Sequence, residues 1–170
     1  MKIVVLNGSP RPKGNTAALI AAFREGAESA GHQVSVLQVG TMNIGGCKGC
    51  EYCHTKGGGA CIQKDDMAQV YPALAESEML LLASPVYYHG LTGQLQSVIS
   101  RFYAVMAPAA KKWALLLTSG SPNVYAAIET QYKGILGFIQ AQDMGIFEYD
   151  GKQVGTEAAL AEIKAFGASL

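Results

Sequence analysis

The chain has 170 residues, of which 49% are apolar and 15% charged, and its 13 lysines and arginines balance 13 aspartates and glutamates. That length suits one domain, residues 1–170, able to bury about 70% of its unfolded surface in a single core. The even charge balance supplies no field for nucleic acid or an anionic membrane, no apolar run approaches the roughly 20 residues of a membrane span, and no cationic leader precedes the first strand, so the expected setting is the cytoplasm.

Lys2 to Leu6 is a short, mostly β-branched run bounded by turn residues, the pattern of a strand buried on both faces. Asn7-Gly8-Ser9-Pro10-Arg11-Pro12-Lys13-Gly14-Asn15-Thr16 follows, and then Leu19, Ile20, Phe23 and Ala27 share one helical face until Gly31 supplies a stop. A strand feeding a helix through such a loop leaves backbone N–H groups aimed at one spot, where the helix dipole is positive. Ser9, Asn15 and Thr16 can donate hydrogen bonds there and Arg11 can fork onto two oxygens, which suits a terminal phosphate monoester. The spacing from Gly8 to Gly14 is not that of a P-loop and no G-x-G-x-x-G occurs, so neither ATP nor a dinucleotide is the expected ligand. The plainer reading is a polar strand-to-helix loop with Asn15 as the N-cap.

Gln33 to Val39 reads as a second strand, and a glycine- and cysteine-rich loop without any period runs from Cys47 to Cys61. All four cysteines of the chain lie in it, as Cys47-x-x-Cys50-x-x-Cys53 and Cys61, at the expected cofactor edge. A structureless stretch of that length in a compact domain is usually functional. The compact spacing resembles the run that wraps an iron–sulfur cluster, whereas zinc usually takes two separated C-x-x-C knuckles and a reducing compartment disfavours a structural disulfide. A cysteine flap packed at a subunit contact, without a cluster, is the alternative. Asp65-Asp66 can cap the next helix, which carries Met67, Val70 and Leu74 and is kinked or shortened by Pro72.

Met79 to Ala83 is a continuously apolar strand that runs into Ser84-Pro85-Val86-Tyr87-Tyr88-His89-Gly90. A helical stripe of Leu95, Val98, Ile99, Phe102 and Val105 follows, then a buried strand from Trp113 to Leu117 opening into Thr118-Ser119-Gly120. A helix with Tyr125, Ile128, Tyr132, Ile135 and Ile139, a weaker strand from Asp143 to Tyr149 and a last helix with Leu160, Ile163 and Phe166 complete the chain. Five strands alternating with helices predict an α/β fold, a parallel sheet with helices on both faces. Ligands bind such sheets at the carboxyl ends of the strands, where the loops after strands one, three and four would converge.

Three stretches carry a resemblance that covers nearly the whole chain: Gly8-Ser9-Pro10-Arg11-x-x-Gly14-Asn15-Thr16, Ser84-Pro85-Val86-Tyr87-Tyr88 with Gly90 and Gln94-Leu95 after it, and the four cysteines before Asp65-Asp66-Met67. The chain resembles the flavodoxin-like superfamily, specifically the NAD(P)H-dependent FMN reductases and iron–sulfur flavoproteins. The resemblance implies a three-layer sandwich around a five-stranded parallel sheet. It implies that Ser9, Arg11, Asn15 and Thr16 hold the FMN phosphate, that Pro85, Val86, Tyr87 and Tyr88 hold the isoalloxazine, and that Thr118, Ser119 and Gly120 close over the ring. A flat tricyclic ring does need an apolar or aromatic face with main-chain groups at its polar edge; taken alone, the tyrosines read as half-buried residues at a strand end, and His89 as an exposed loop residue. For Cys47, Cys50, Cys53 and Cys61 the resemblance implies ligands of a four-iron, four-sulfur cluster, with the departure that Cys61 follows Cys53 at a long gap and no proline follows it.

The function so implied is an oxidoreductase in which NAD(P)H reduces bound FMN and a quinone, free flavin or other small acceptor takes the electrons. FMN carries the chemistry and no side chain is needed as acid or base. An electron carrier fed by a ferredoxin-like protein is the alternative, although such carriers often display a strong acidic surface and this chain has none. A regulatory receiver domain is a third class, but the first strand ends in Asn-Gly-Ser rather than an acidic pair. Apolar groups exposed by the cysteine loop and the Pro-Val-Tyr-Tyr loop predict a homodimer or homotetramer.

Overall fold

The computed structural model describes residues 1–170. Five strands alternate with five helices: β1 (Lys2–Asn7), α1 (Asn15–Ser29), β2 (Gln33–Leu37), α2 (Met67–Glu76), β3 (Met79–Pro85), α3 (Gly93–Arg101), β4 (Lys112–Thr118), α4 (Ala126–Ile139), β5 (Gln142–Tyr149) and α5 (Glu157–Ala168). All neighbouring strands pair in parallel, in the order β2-β1-β3-β4-β5. This is the parallel α/β sandwich that the alternation predicts, in the flavodoxin-like form that the resemblance implies, with the order reversing between β1 and β3.

Two apolar layers sandwich the sheet because every central strand is apolar at both parities. Val4, Leu6, Leu80, Leu82, Leu115 and Leu117 face Met67, Val70 and Leu74 of α2, Leu95 and Val98 of α3, and Ile128, Tyr132 and Leu136 of α4. On the other side Ile3, Val5, Leu81, Ala114 and Leu116 meet Leu19, Ile20, Phe23 and Ala27 of α1 and Ala159 and Ile163 of α5. Full burial of a side chain such as Phe23 stabilises by about 2–3 kcal/mol. Helices α1 and α5 pack backbone to backbone, since a Cβ on Gly26 would overlap the Lys164 carbonyl.

Several local expectations are corrected. Strand β2 stops at Leu37, short of Val39, because the Gln38 side chain turns to the β1–α1 loop and Val39–Thr41 tightens into a 3₁₀ turn. The α3 stripe ends at Phe102, where a 3₁₀ turn changes the phase and leaves Val105 40% exposed. Strand β5 is irregular, its register with β4 shifting between Trp113 and Leu115 near Gly145. Asp66 sits at the start of α2 without capping it, and the Met67 N–H donates instead to Asp65 Oδ1 at 3.2 Å. No helix is long and apolar enough to cross a membrane.

Candidate functional site

The carboxyl ends of β1, β3 and β4 open onto one cleft of about 280 Å³. The β1–α1 loop contributes Ser9, Arg11, Gly14, Asn15 and Thr16; the loop after β3 contributes Pro85, Val86 and Tyr87; the loop after β4 contributes Thr118, Ser119 and Gly120. Gly151, in the turn after β5, completes the lining. No acidic residue borders the cleft, and Arg11 is its charged group.

Helix α1 begins at this cleft without a cap. Its N-cap is Gly14, not Asn15, no side chain accepts from its first turn, and no acidic residue stands there. The first N–H groups are therefore free to meet an anion. Beneath them the buried hydroxyls of Thr16 and Thr118 pair at 2.8 Å, joining the first loop to the end of β4. The Val86 N–H donates to the Thr118 carbonyl at 2.7 Å, joining the second loop to the same point.

Residues outside the cleft hold the first loop rigid. Asn7 Oδ1 accepts from the Ser9 N–H at 3.0 Å, Asn7 Nδ2 donates to Gln38 at 2.7 Å, and Gln38 Nε2 donates to the Ser9 carbonyl at 2.7 Å. Thr92 caps α3 by accepting from the Leu95 N–H and donates to the Gly8 carbonyl at 2.8 Å. The Ser9 hydroxyl accepts from the Arg11 N–H at 3.2 Å, a local turn that sets the entry of the arginine. Sequence reading missed Asn7, Gln38, Thr92 and Gly151; only Thr92, ahead of an amphipathic stripe, carried a local capping signal.

The two tyrosines separate. Tyr87 borders the cleft, whereas Tyr88 is 104% exposed, not half-buried, and flanks an adjoining recess with Val86, His89, Ser119, Gly120 and Val124. A tight turn closed by paired hydrogen bonds between Tyr87 and Gly90 puts Tyr88 at φ 52° and His89 at φ 62°. Two side-chain-bearing residues in the left-handed region cost on the order of 1–3 kcal/mol each, and such strain clusters at ligand-binding loops.

The four cysteines gather at a second place. Cys47, Cys50, Cys53 and Cys61 all border one hollow, Cys47 and Cys50 exposed and Cys53 buried. No three His, Cys, Asp or Glu side chains are gathered closely enough to hold a single metal ion. The loop is pinned to the C-terminal end of α3: the Cys47 N–H donates to Ser100 Oγ at 3.0 Å, Tyr103 donates to the Glu51 carboxylate, and the His54 ring contacts the Tyr103 carbonyl at 2.8 Å. Helix α3 runs about 13 Å from Thr92 at the first loop to Arg101 at this hollow. The first loop thus meets the N-terminal end of α3 and the cysteine loop its C-terminal end, and the cleft and the cysteine hollow share no lining residue.

Arg101 lies under this hollow and was invisible to sequence reading. It is 1% exposed. One terminal nitrogen donates to Asp65 at 2.6 Å and to the Gly45 carbonyl at 2.8 Å, and the other reaches Asp65 at 3.3 Å. Burial pushes the Asp65 carboxyl up, but Arg101 and the amides of Gly45 and Met67 outweigh it and hold the group below its ordinary range.

Residues 1–151 match the family described as NADPH-dependent FMN reductase. An iron–sulfur flavoprotein of Archaeoglobus fulgidus is 38% identical over 101 residues, 59% of this chain and 45% of that one. The chain spans about half the length of the curated relatives it matches. Among solved structures, an NAD(P)H:quinone oxidoreductase from Methanothermobacter marburgensis superposes with TM-score 0.71 at 14% identity, over 99% of this chain and 96% of that one. An FMN-dependent NADH-azoreductase from Bacillus anthracis, solved in complex with FMN, superposes with TM-score 0.72 at 10% identity, over 99% of each chain. At these identities the structural likeness is one of fold.

Proposed function

The chain belongs to the NADPH-dependent FMN reductase family, and from that premise we propose that residues 1–170 form one FMN-binding domain that uses NAD(P)H to reduce a quinone, free flavin or other small acceptor. The observation that carries this reading is the two-ended cleft. One end offers an uncapped helix start, hydroxyls and Arg11, the donor set for a phosphate monoester; the other offers the apolar Pro85, Val86 and Tyr87. When bound, FMN supplies the redox chemistry, taking hydride equivalents from NAD(P)H and passing electrons to the acceptor.

The chain's own residues bind and orient. Ser9, Arg11, Asn15 and Thr16 hold the phosphate, Pro85 to Tyr87 and the exposed Tyr88 flank the ring, and Thr118 to Gly120 close the far side. None is required as a general acid or base. The test is anaerobic titration of the apoprotein with FMN and with riboflavin, followed by NADH and NADPH oxidation. Losing one charge-assisted hydrogen bond costs about 1.5–3 kcal/mol, so Arg11→Ala should weaken FMN tenfold or more and leave riboflavin nearly unchanged. Equal loss for both ligands would remove Arg11 from the phosphate.

The shared hollow of four free cysteines favours an added component, a four-iron, four-sulfur cluster held by Cys47, Cys50, Cys53 and Cys61. Four thiolates are the donor set such clusters take, and relatives are named iron–sulfur flavoproteins. With it, electrons could also pass to or from a ferredoxin-like protein. The setting we propose is the cytoplasm, where exposed free cysteines stay reduced.

We propose a homodimer or homotetramer. Tyr87 and Tyr88 beside the cleft are exposed, and so are Tyr103, which borders the cysteine hollow, and Met106 and Phe138, which line an apolar recess with it, leaving apolar surface that a symmetric partner would cover. Light scattering of the FMN-bound protein should give a mass of two or four chains; a monomer persisting at high concentration would exclude both.

A further inference from the structure

We propose that Arg101 tunes the cysteine-held cluster, donating its free Nε–H to a cluster or thiolate sulfur and making the reduction potential less negative. The inference rests on the cluster reading above.

Three observations meet at this residue. Arg101 is 1% exposed, so its charge is removed from water at substantial cost. Its two terminal nitrogens are fixed by Asp65 and Gly45, while Nε is buried and makes no hydrogen bond of normal geometry, the Tyr71 hydroxyl being the one other polar side-chain group that interacts with the guanidinium. The same side chain borders the hollow with all four cysteines. A buried donor left unpaired costs about 1–3 kcal/mol and calls for an acceptor. An ion pair serving only to fasten the loop would have no use for a spare N–H on a residue that lines the cysteine hollow.

Reduction of a four-iron cluster adds one electron from the reductant, converts one ferric equivalent to ferrous, and breaks no bond. The added charge is stabilised by a nearby cation and by hydrogen bonds to sulfur, two of the means by which proteins set cluster potentials. Lys48 and Glu51 also border the hollow, but both residues are exposed and water screens them. Asp65 opposes Arg101: its carboxylate neutralises part of the guanidinium charge felt at the hollow.

That opposition supplies the test. The wild-type protein, Arg101→Gln and Asp65→Asn are each loaded with iron and sulfide without oxygen, assayed for iron, and titrated with dithionite while electron paramagnetic resonance follows the reduced cluster. Both substitutions break the same ion pair, so a merely structural role would move both potentials in one direction. The expected result is opposite shifts, more negative for Arg101→Gln and less negative for Asp65→Asn. A second measurement needs no variant: wild-type protein carrying ¹⁵N-arginine should show a nitrogen coupling in the spin-echo spectrum of the reduced cluster. Parallel shifts, or unchanged potentials with no nitrogen coupling, would overturn the role of Arg101 while leaving the cluster reading intact. Iron uptake by wild type no greater than by Cys50→Ser would overturn the cluster reading, and the role of Arg101 with it.

Discussion

Replacing Asp65 with alanine should destabilise the protein by about 3–5 kcal/mol, because it strands a buried guanidinium without a counter-charge. Arg101 is 1% exposed and holds Asp65 at 2.6 Å. The surface pairs Lys2–Glu76 and Lys133–Glu129 are both far more open, and removing either should cost about 1 kcal/mol or less. The damage should also be local in a recognisable way. Asp65 accepts from the Gly45 and Met67 amides besides Arg101, so one carboxylate ties the entry of the cysteine loop, the start of α2 and the end of α3 together. Hydrogen exchange should rise first across residues 43–66. The double substitution Asp65→Leu with Arg101→Met should recover most of the loss, since an apolar pair avoids the desolvation that the ions suffer. A loss below about 1 kcal/mol in chemical denaturation would show that the pair is not what holds the loop.

The pH dependence of the same pair has a definite sign. The folded Asp65 carboxyl lies below its ordinary value near 4, so its stabilising contribution is complete above that value and is lost as pH falls through the lowered one. Wild-type melting temperature should drop on acidification below about pH 4 more steeply than that of Asp65→Ala. Equal slopes would mean that the carboxyl titrates alike in folded and unfolded chains.

Replacing Gly40 with alanine should weaken FMN on the order of 100-fold, about 3 kcal/mol, by dismantling from behind the loop proposed to hold its phosphate. Gly40 sits in the 3₁₀ turn after β2, and a Cβ there would overlap the Ser9 carbonyl and come within 2.6 Å of the Gly8 oxygen. Both obstacles are backbone, so neither can swing aside as a flexible side chain would. The backbone from the Gly8 to the Ser9 carbonyl must move, and with it the Gln38 hydrogen bond that fixes the Ser9 carbonyl. Thr41→Ala, one residue on, adds no atom against that loop and should leave FMN affinity within about twofold. The check is fluorescence titration of apoprotein with FMN beside a thermal melt. Unchanged affinity in Gly40→Ala would show that the loop can shift without losing the phosphate.

The amino-acid sequence by itself determined the sheet and the first loop. Continuously apolar runs such as Leu80-Leu81-Leu82 and Leu115-Leu116-Leu117 can be satisfied only when both faces of a strand are covered, so they specify a central parallel sheet wherever they occur. A Gly- and Asn-bearing turn into an amphipathic helix specifies free amides at the helix start through local geometry alone. Those constraints act within a few residues, which is why Ser9, Arg11, Asn15 and Thr16 were legible and were found beside the loops after β3 and β4 in one cleft. Tertiary structure decided what depends on chain segments meeting from far apart. Asp65 and Arg101 are 36 positions apart, and Thr16 and Thr118 are 102 positions apart. Gly40 was needed only because the Ser9 carbonyl arrives against it, and an arginine at the end of an amphipathic helix ordinarily points to water. The resting place of the cysteine loop was hidden for the same reason. No period or cap within residues 47–61 directs it; the contacts that dock it belong to Ser100, Arg101 and Tyr103, which only the closed fold brings within reach.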